Sequence, residues 1–130
     1  MTLNDSLANM YSTILNHEKI GKRDVLVKVS SKMAKKNLDI LKREGYIEEY
    51  KERVVTTTPQ LNITLSGTIN KCGAIKPRFS VKLEEYEKFE KRFLPAKNFG
   101  IIIVSTSKGL MTHKEAKEEK LGGRLIAYCY

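Results

Sequence analysis

Three hydroxyl side chains, a lysine and a glycine follow one another at residues 105–109, in the order Ser-Thr-Ser-Lys-Gly. The preceding residues 101–104 form an uninterrupted apolar run, which predicts a strand covered on both faces. Hydroxyl groups donate and accept hydrogen bonds, so they can bind phosphate oxygens, ribose hydroxyls and base edges. Gly109 permits a positive φ and the close approach of a bulky partner. We therefore predict that residues 105–109 form a loop that reads RNA. The alternative is ordinary turn chemistry, in which the hydroxyls bind their own backbone.

No arrangement of side chains in the sequence is typical of an enzyme. The chain has two histidines and three aspartates, none in a spacing known for catalysis or metal binding. Residues 105–109 lack the glycines that precede the lysine of a phosphate-binding P-loop. Cys72 and Cys129 are too few for a disulfide framework or a zinc site, so we expect two reduced, buried thiols. We thus predict a protein that is not an enzyme and has neither metal nor cofactor.

The charge of the chain indicates a polyanionic partner. The 130 residues include 24 basic and 15 acidic side chains, a net charge of +9, and 13 of the basic but only 7 of the acidic ones lie in residues 67–130. A small basic protein most often binds a polyphosphate; a merely soluble basic protein is the alternative. No apolar stretch approaches the roughly 18 residues of a membrane span, and residues 1–5 show no signal-peptide pattern. We expect a cytoplasmic protein that meets no membrane.

Apolar periodicity predicts an α/β fold of the α+β type, with two small, closely packed lobes. Residues 1–66 are predicted as an N-terminal α/β lobe in the order α-β-α-β-β, and residues 67–130 as a β-rich RNA-binding lobe with short helices. The apolar stripe of the first helix is Leu7, Met10, Tyr11, Ile14 and Leu15. The break between the lobes is placed at Ser66-Gly67, where the apolar alternation stops.

Three elements of the second lobe bear on the predicted loop. A short amphipathic helix should end before Pro95, and Thr112 should cap a helix that runs to about Lys120. The last residues should form a terminal strand. In this strand we expect Leu125 and Ala127 to share one face, and Ile126 and Tyr128 the other.

Cations near the predicted loop can hold the phosphates of RNA. Those closest to it in the sequence are Lys108, Lys114 and Arg124. Phosphate contacts of this kind give affinity but carry no sequence information. Lys32 begins a lysine-rich helix, and Lys76 and Arg78 lie in a predicted exposed turn, so we expect secondary RNA contacts from these three. For Lys32 and its helix, a solvated surface is the alternative.

Long segments of the chain resemble a known family. VSTSKGLMTHKEA at residues 104–116 and LGGRLIAY at 121–128 closely resemble the C-terminal signature of the small-subunit ribosomal protein S8 family. DSLANM at 5–10, SK at 31–32 and EGYI at 44–47 match its N-terminal half. The resemblance spans nearly the whole chain.

The resemblance implies a structural constituent of the small ribosomal subunit. Such a protein binds an irregular stem in the central domain of small-subunit rRNA and helps to assemble that domain beside neighbouring ribosomal proteins. NKCGAIKPRF at 70–79 and YCY at 128–130 are similar to the archaeal and eukaryotic branch. Bacterial members also bind a similar stem in their own operon mRNA, which makes such an mRNA a further implied partner.

The resemblance also implies which residues meet the RNA. The family's Ser-Thr-Ser turn contacts the distorted core of the stem, and the family has a glycine pair at the position of residues 122–123. The predicted interface comprises Ser105, Thr106, Ser107, Lys108, Gly109, Thr112, Lys114, Gly122, Gly123 and Arg124. The alternative function is a nonspecific basic nucleic-acid-binding or ribosome-assembly factor.

Overall fold

The computed structural model describes residues 6–27, 32–55, 58–75, 80–96 and 99–130 of the chain. The chain divides into two units, residues 1–70 and residues 71–130, and the predicted boundary after Ser66 lies a few residues earlier. The hydroxyls of Ser66 and Thr68 both donate to the carbonyl oxygen of Gly45, at 3.0 and 3.1 Å. These bonds tie the segment after the last strand of the first unit back onto that unit.

The first unit has two helices and a three-stranded antiparallel sheet. Its elements are α1 (Ser6–Lys19), β1 (Asp24–Val27), α2 (Lys32–Arg43), β2 (Ile47–Val55) and β3 (Thr58–Leu65), in the predicted order α-β-α-β-β. The strands pair in the order β1-β3-β2. The stripe of α1 is confirmed at Leu7, Met10, Tyr11 and Ile14, which are at most 4% exposed. The Tyr11 hydroxyl donates to Asn37 Oδ1 of α2 at 2.8 Å, which links the two helices.

The second unit is built on another antiparallel sheet. Its elements are β4 (Cys72–Ala74), β5 (Ser80–Val81), a 3-10 turn (Leu83–Glu85), α3 (Tyr86–Phe93), β6 (Ile101–Thr106), β7 (Gly109–Thr112), α4 (His113–Glu118) and β8 (Gly123–Cys129). The strands pair in the order β4-β8-β6-β7, and β5 also pairs with β8. Helix α3 ends before Pro95, as predicted, while α4 ends at Glu118, before the predicted Lys120. The predicted α+β class, with two antiparallel sheets, is confirmed.

Strand β6 is the buried strand that the sequence predicts, but it is longer than expected. Residues 101–104 are at most 2% exposed. The strand continues through Ser105 and Thr106 because their pairing with β7 extends to the end of the hairpin. The loop predicted over residues 105–109 is therefore wrong in extent, since the turn itself comprises only residues 107–108.

Strand β8 contains a bulge that the sequence did not predict. Its register against β6 pairs Leu125 with Val104 and Ala127 with Ile103, which leaves Ile126 as the extra residue. An extra residue reverses the alternation of faces beyond it. Leu125 and Tyr128 consequently pack against the same core cluster. The predicted faces, with Leu125 beside Ala127 and Ile126 beside Tyr128, are wrong for this reason.

Candidate nucleic-acid interface

A two-residue turn, Ser107 and Lys108, closes the hairpin between β6 and β7. Both residues are exposed and have negative φ, while Gly109 has a φ of +112° that would strain any other residue. The Thr106 hydroxyl donates to the Gly109 carbonyl at 2.9 Å and accepts from the Lys108 N–H at 3.2 Å. The Thr106 hydroxyl is thus bonded to the backbone of its own turn, which is ordinary turn chemistry. The side chains that the turn presents to solvent are those of Ser107 and Lys108.

The cation of this turn is paired with an exposed carboxylate. Lys108 Nζ lies 3.0 Å from Glu119 Oε2, and the two side chains are 62% and 51% exposed. An ion pair this exposed contributes little stability in water. A phosphate group can therefore compete with Glu119 for the ammonium group of Lys108.

Side chains from four strands form a row across one face of the second sheet. Arg124 on β8 lies opposite Ser105 on β6 and Ser80 on β5, and Ser105 lies opposite Leu110 on β7. Partners across neighbouring strands project their side chains to the same face. Ser80 and Arg124 are exposed and Ser105 is half-buried. The serine–arginine row (Ser80, Arg124 and Ser105) therefore places one guanidinium and two hydroxyls next to the hairpin turn. Sequence reasoning missed Ser80, because only the pairing of β5 with β8 brings it here.

The two glycines before Arg124 allow neighbouring backbones to approach closely. A Cβ atom at Gly123 would clash with the Ser105 carbonyl oxygen and lie 2.8 Å from Val104 Cγ1, and one at Gly122 would lie 2.7 Å from the Val81 carbonyl oxygen. Distances of this size leave no room for a methyl group. The glycine pair therefore holds β8 close to β5 and β6 and so sets the shape of the serine–arginine row.

Thr112 and Lys114 lie at the start of α4. Thr112 is 3% exposed, and its hydroxyl accepts from the Glu115 N–H at 3.3 Å and donates to the Glu115 carboxylate at 3.2 Å. The predicted helix cap is confirmed, and it occupies the hydroxyl for which the sequence predicts an RNA contact. Lys114 is exposed and available for a phosphate contact.

The secondary contacts are in other parts of the chain. Lys32 is exposed at the start of α2 in the first unit. Lys76 and Arg78 lie outside the described residues. The RNA contacts expected from these three residues stay predictions.

A buried polar cluster supports α4 from within the second unit. His113 is 0% and Glu90 8% exposed. His113 Nδ1 accepts the Ile102 N–H at 3.1 Å, so in the neutral ring the proton resides on Nε2. Nε2 lies 2.8 Å from Glu90 Oε1 but is not aligned for a hydrogen bond, and Lys117 Nζ donates to Glu90 Oε2 at 2.8 Å. The cluster joins α3 and α4 to β6, whose other end carries the hairpin turn.

The environment shifts the titration of both buried groups. Burial lowers the pKa of His113, against an opposing effect from Glu90. Burial alone would raise the pKa of Glu90, but the hydrogen bond from Lys117 and the charges of His113 and Lys117 outweigh it, so this pKa is lowered. A neutral imidazole and an ionised carboxylate are therefore the forms that the fold favours. Sequence reasoning missed the cluster, because Glu90 and Lys117 resemble the surface charges that surround them.

The residues that the structure describes form no metal site: no group of three or more of their histidine, cysteine, aspartate or glutamate side chains is placed to hold a metal ion. None of the helices formed by these residues is both long and apolar enough to span a bilayer.

The chain was compared with models of protein families. The family described as Ribosomal protein S8 matches residues 5–130. The matched range covers the hairpin, the serine–arginine row and the glycine pair, as well as the helices and strands of the first unit.

Proposed function

The chain belongs to the ribosomal protein S8 family, and we propose that it recognises an irregular stem in the central domain of small-subunit rRNA and helps that domain to assemble. Its family makes it a structural protein of the small ribosomal subunit that binds rRNA and associates with other ribosomal proteins.

The observation that carries the proposal is the exposed Ser107 turn at the end of a strand buried on both faces. Double-stranded RNA offers a wide, shallow minor groove lined with ribose hydroxyls, and its internal loops display displaced bases. A narrow hairpin end can approach either feature. Since residues 101–104 are buried, the turn is held on a rigid support. The free-energy cost of ordering the turn when RNA binds is therefore small.

The side chains at this end divide into two roles. Ser107 and Ser105 supply hydroxyls that can pair with ribose or base edges, and such pairs depend on the shape and sequence of the RNA. Lys108, Lys114 and Arg124 supply positive charge for phosphates, which holds the RNA without selecting it. Thr106, by contrast, contributes by fixing the turn.

Several finer points belong to the same proposal. The segments at 70–79 and 128–130 favour the archaeal and eukaryotic branch of the family. Lys32, Lys76 and Arg78 would extend the RNA contact. The mRNA that encodes the protein would bind to the same hairpin end if it contains a stem that resembles the rRNA stem.

A second candidate function is a factor that binds any nucleic acid through charge alone. The net charge of +9 favours it, because charge by itself gives nonspecific affinity. The two functions differ in how they respond to the sequence and shape of the RNA.

Binding to two RNAs of equal length separates the two functions. The first is the irregular stem from the central domain of the rRNA, and the second is a regular duplex with the same composition in scrambled order. We expect the stem to bind more tightly at every salt concentration, with similar salt slopes for both RNAs. Equal affinities would contradict the proposal and favour the charge-only factor.

A further inference from the structure

The two cysteines of the chain, far apart in the sequence, lie directly opposite each other in the second sheet. Cys72 on β4 is the register partner of Cys129 on β8. Both are present as thiols rather than as a disulfide, and they are 3% and 0% exposed. Strand β4 is a three-residue strand at the edge of this sheet.

The hydrogen-bond pattern around the pair defines its geometry. Lys71 and Tyr130 exchange both backbone bonds, N–H to carbonyl, at 2.9 and 2.8 Å. They form a hydrogen-bonded pair, so the adjacent pair, Cys72 and Cys129, is a non-hydrogen-bonded one. In such a pair the Cα atoms are roughly 4.5 Å apart and the side chains project to the same face. A disulfide requires a Cα separation of about 4.4–6.8 Å, so the native register suits the bond without displacement of either strand.

We propose that Cys72 and Cys129 form an oxidisable dithiol site, which a two-electron oxidant of the peroxide class converts into a disulfide that joins β4 to β8. One thiolate attacks hydrogen peroxide, and its sulfur becomes a sulfenic acid while hydroxide leaves. The second thiol then attacks this sulfur and releases water, so that the S–S bond forms as the S–OH bond breaks. In total the two thiols lose two electrons and two protons, and the peroxide becomes two molecules of water.

The position of the pair determines how the reaction proceeds and what it changes. Because both thiols are buried, the oxidant reaches them only when the short edge strand β4 separates from β8, so oxidation follows a local opening. The disulfide closes a long loop between Cys72 and Cys129 and should stabilise the second unit by restricting its unfolded chain. Arg124 lies five residues from Cys129, near the opposite end of β8, so the inference does not depend on the proposed RNA contact.

The test is oxidation of the folded full-length chain with hydrogen peroxide. After the remaining thiols are blocked, we expect a proteolytic digest to contain one cross-linked peptide pair that joins residues 72 and 129. The mass of this pair should be lower than the sum of the two reduced peptides by two hydrogen atoms, and a reductant should separate it. The thermal midpoint of the oxidised chain should be several degrees higher than that of the reduced chain.

Single variants serve as controls for the cross-link. Cys72→Ala and Cys129→Ala each retain one thiol and should give neither the cross-linked pair nor the rise in thermal midpoint. Should either variant fold poorly, the peptide map of the unmodified chain still decides the question. Thiols that survive prolonged exposure, separate sulfinic acids, or a disulfide between two chains would each overturn the proposal. An unchanged or lower midpoint would show that the native register does not accommodate the bond.

Discussion

Ser105, Thr106 and Ser107 are adjacent in the sequence, but their hydroxyls have different surroundings. Thr106 is bonded within the turn, Ser105 lies half-buried in the serine–arginine row, and Ser107 is exposed at the tip. A hydroxyl bonded to its own backbone stabilises the turn, whereas an exposed one is free to pair with a ligand. The contribution of Ser107 to selectivity should therefore exceed that of Thr106.

The role of Ser107 can be measured with the substitution Ser107→Ala. We expect binding to the rRNA stem to weaken by about 1–3 kcal/mol, because the RNA group that it meets is left unpaired. The thermal midpoint should not change, since the side chain is exposed. Ser12→Ala, at an exposed position of α1, is the matched control and should leave the affinity as it is. A large fall in midpoint with unchanged affinity would instead assign Ser107 a structural role.

The close approach of strands at Gly123 leads to a prediction about stability. Gly123→Ala forces a methyl group against the Ser105 carbonyl and Val104, so we expect it to reduce the free energy of unfolding by about 1–3 kcal/mol. Urea denaturation measures this loss. Arg124→Ala, at the next, exposed position, should change stability by less than about 0.5 kcal/mol. Equal stability of the Gly123 and Arg124 variants would mean that the backbones of β8 and β6 do not approach each other this closely at Gly123.

At the scale of elements, α4 follows directly from the hairpin and is supported by the buried cluster. The cap at Thr112 joins the end of β7 to the helix, and His113 connects the helix to the backbone of β6 through Ile102. Both strands of the hairpin are therefore held by the same short helix. A change in the charge of His113 should therefore alter the stability of the whole hairpin.

The titration of this cluster predicts that acid destabilises the protein. In the unfolded chain His113 takes up its proton near the ordinary pKa of 6.5, whereas burial lowers the folded value. Its stabilising contribution is thus complete above about pH 6.5 and is lost as the pH falls through that value toward the folded pKa. The lowered pKa of Glu90 acts in the same direction at lower pH, since its contribution is lost as the pH falls through the ordinary value of 4.5 toward the folded one.

Denaturation of the native chain and of His113→Gln across this range tests the effect. The native chain should lose stability below about pH 6.5, by at most about 1.4 kcal/mol per pH unit for a single proton. The variant lacks the titrating ring. Its plot of unfolding free energy against pH should therefore be flatter between the folded-state and the unfolded-state pKa of His113. Parallel curves would contradict the assignment of this acid sensitivity to His113.

The elements could be predicted from the sequence where the evidence is local. The stripe from Leu7 to Ile14 marks α1, and the apolar run at 101–104 marks β6, because burial of each follows from the spacing of its own residues. The serine–arginine row and the bulge at Ile126 could not be predicted, since both depend on which strands pair and in which register. The same reason hides the Cys72–Cys129 pair, whose partners are brought together only by the sheet.

At the scale of the whole molecule, positive charge is concentrated in residues 67–130, which hold 13 basic and 7 acidic side chains. Part of this charge is already paired within the protein, as Lys117 is with Glu90 and Lys108 with Glu119. The first pair is fixed by the buried carboxylate of Glu90, whereas the exposed pair of Lys108 and Glu119 can exchange its carboxylate for a phosphate. The salt dependence of RNA binding therefore reports the exposed cations rather than the total charge.

Lys114→Ala tests whether affinity and selectivity reside in different side chains. Each phosphate contact releases counterions, so loss of one contact should reduce the slope of log affinity against log salt by about one. We expect this variant to weaken binding to the irregular stem and to the scrambled duplex by the same factor. Lys51→Ala, which removes an exposed cation from β2 of the first unit, controls for the change in net charge.

Ser107→Ala should have the opposite effect to Lys114→Ala. It should lower the ratio of the affinity for the stem to the affinity for the duplex, while the salt slope stays constant. A Lys114 variant that changes this ratio would show that the cation itself selects the RNA, and the separation of roles would then be wrong.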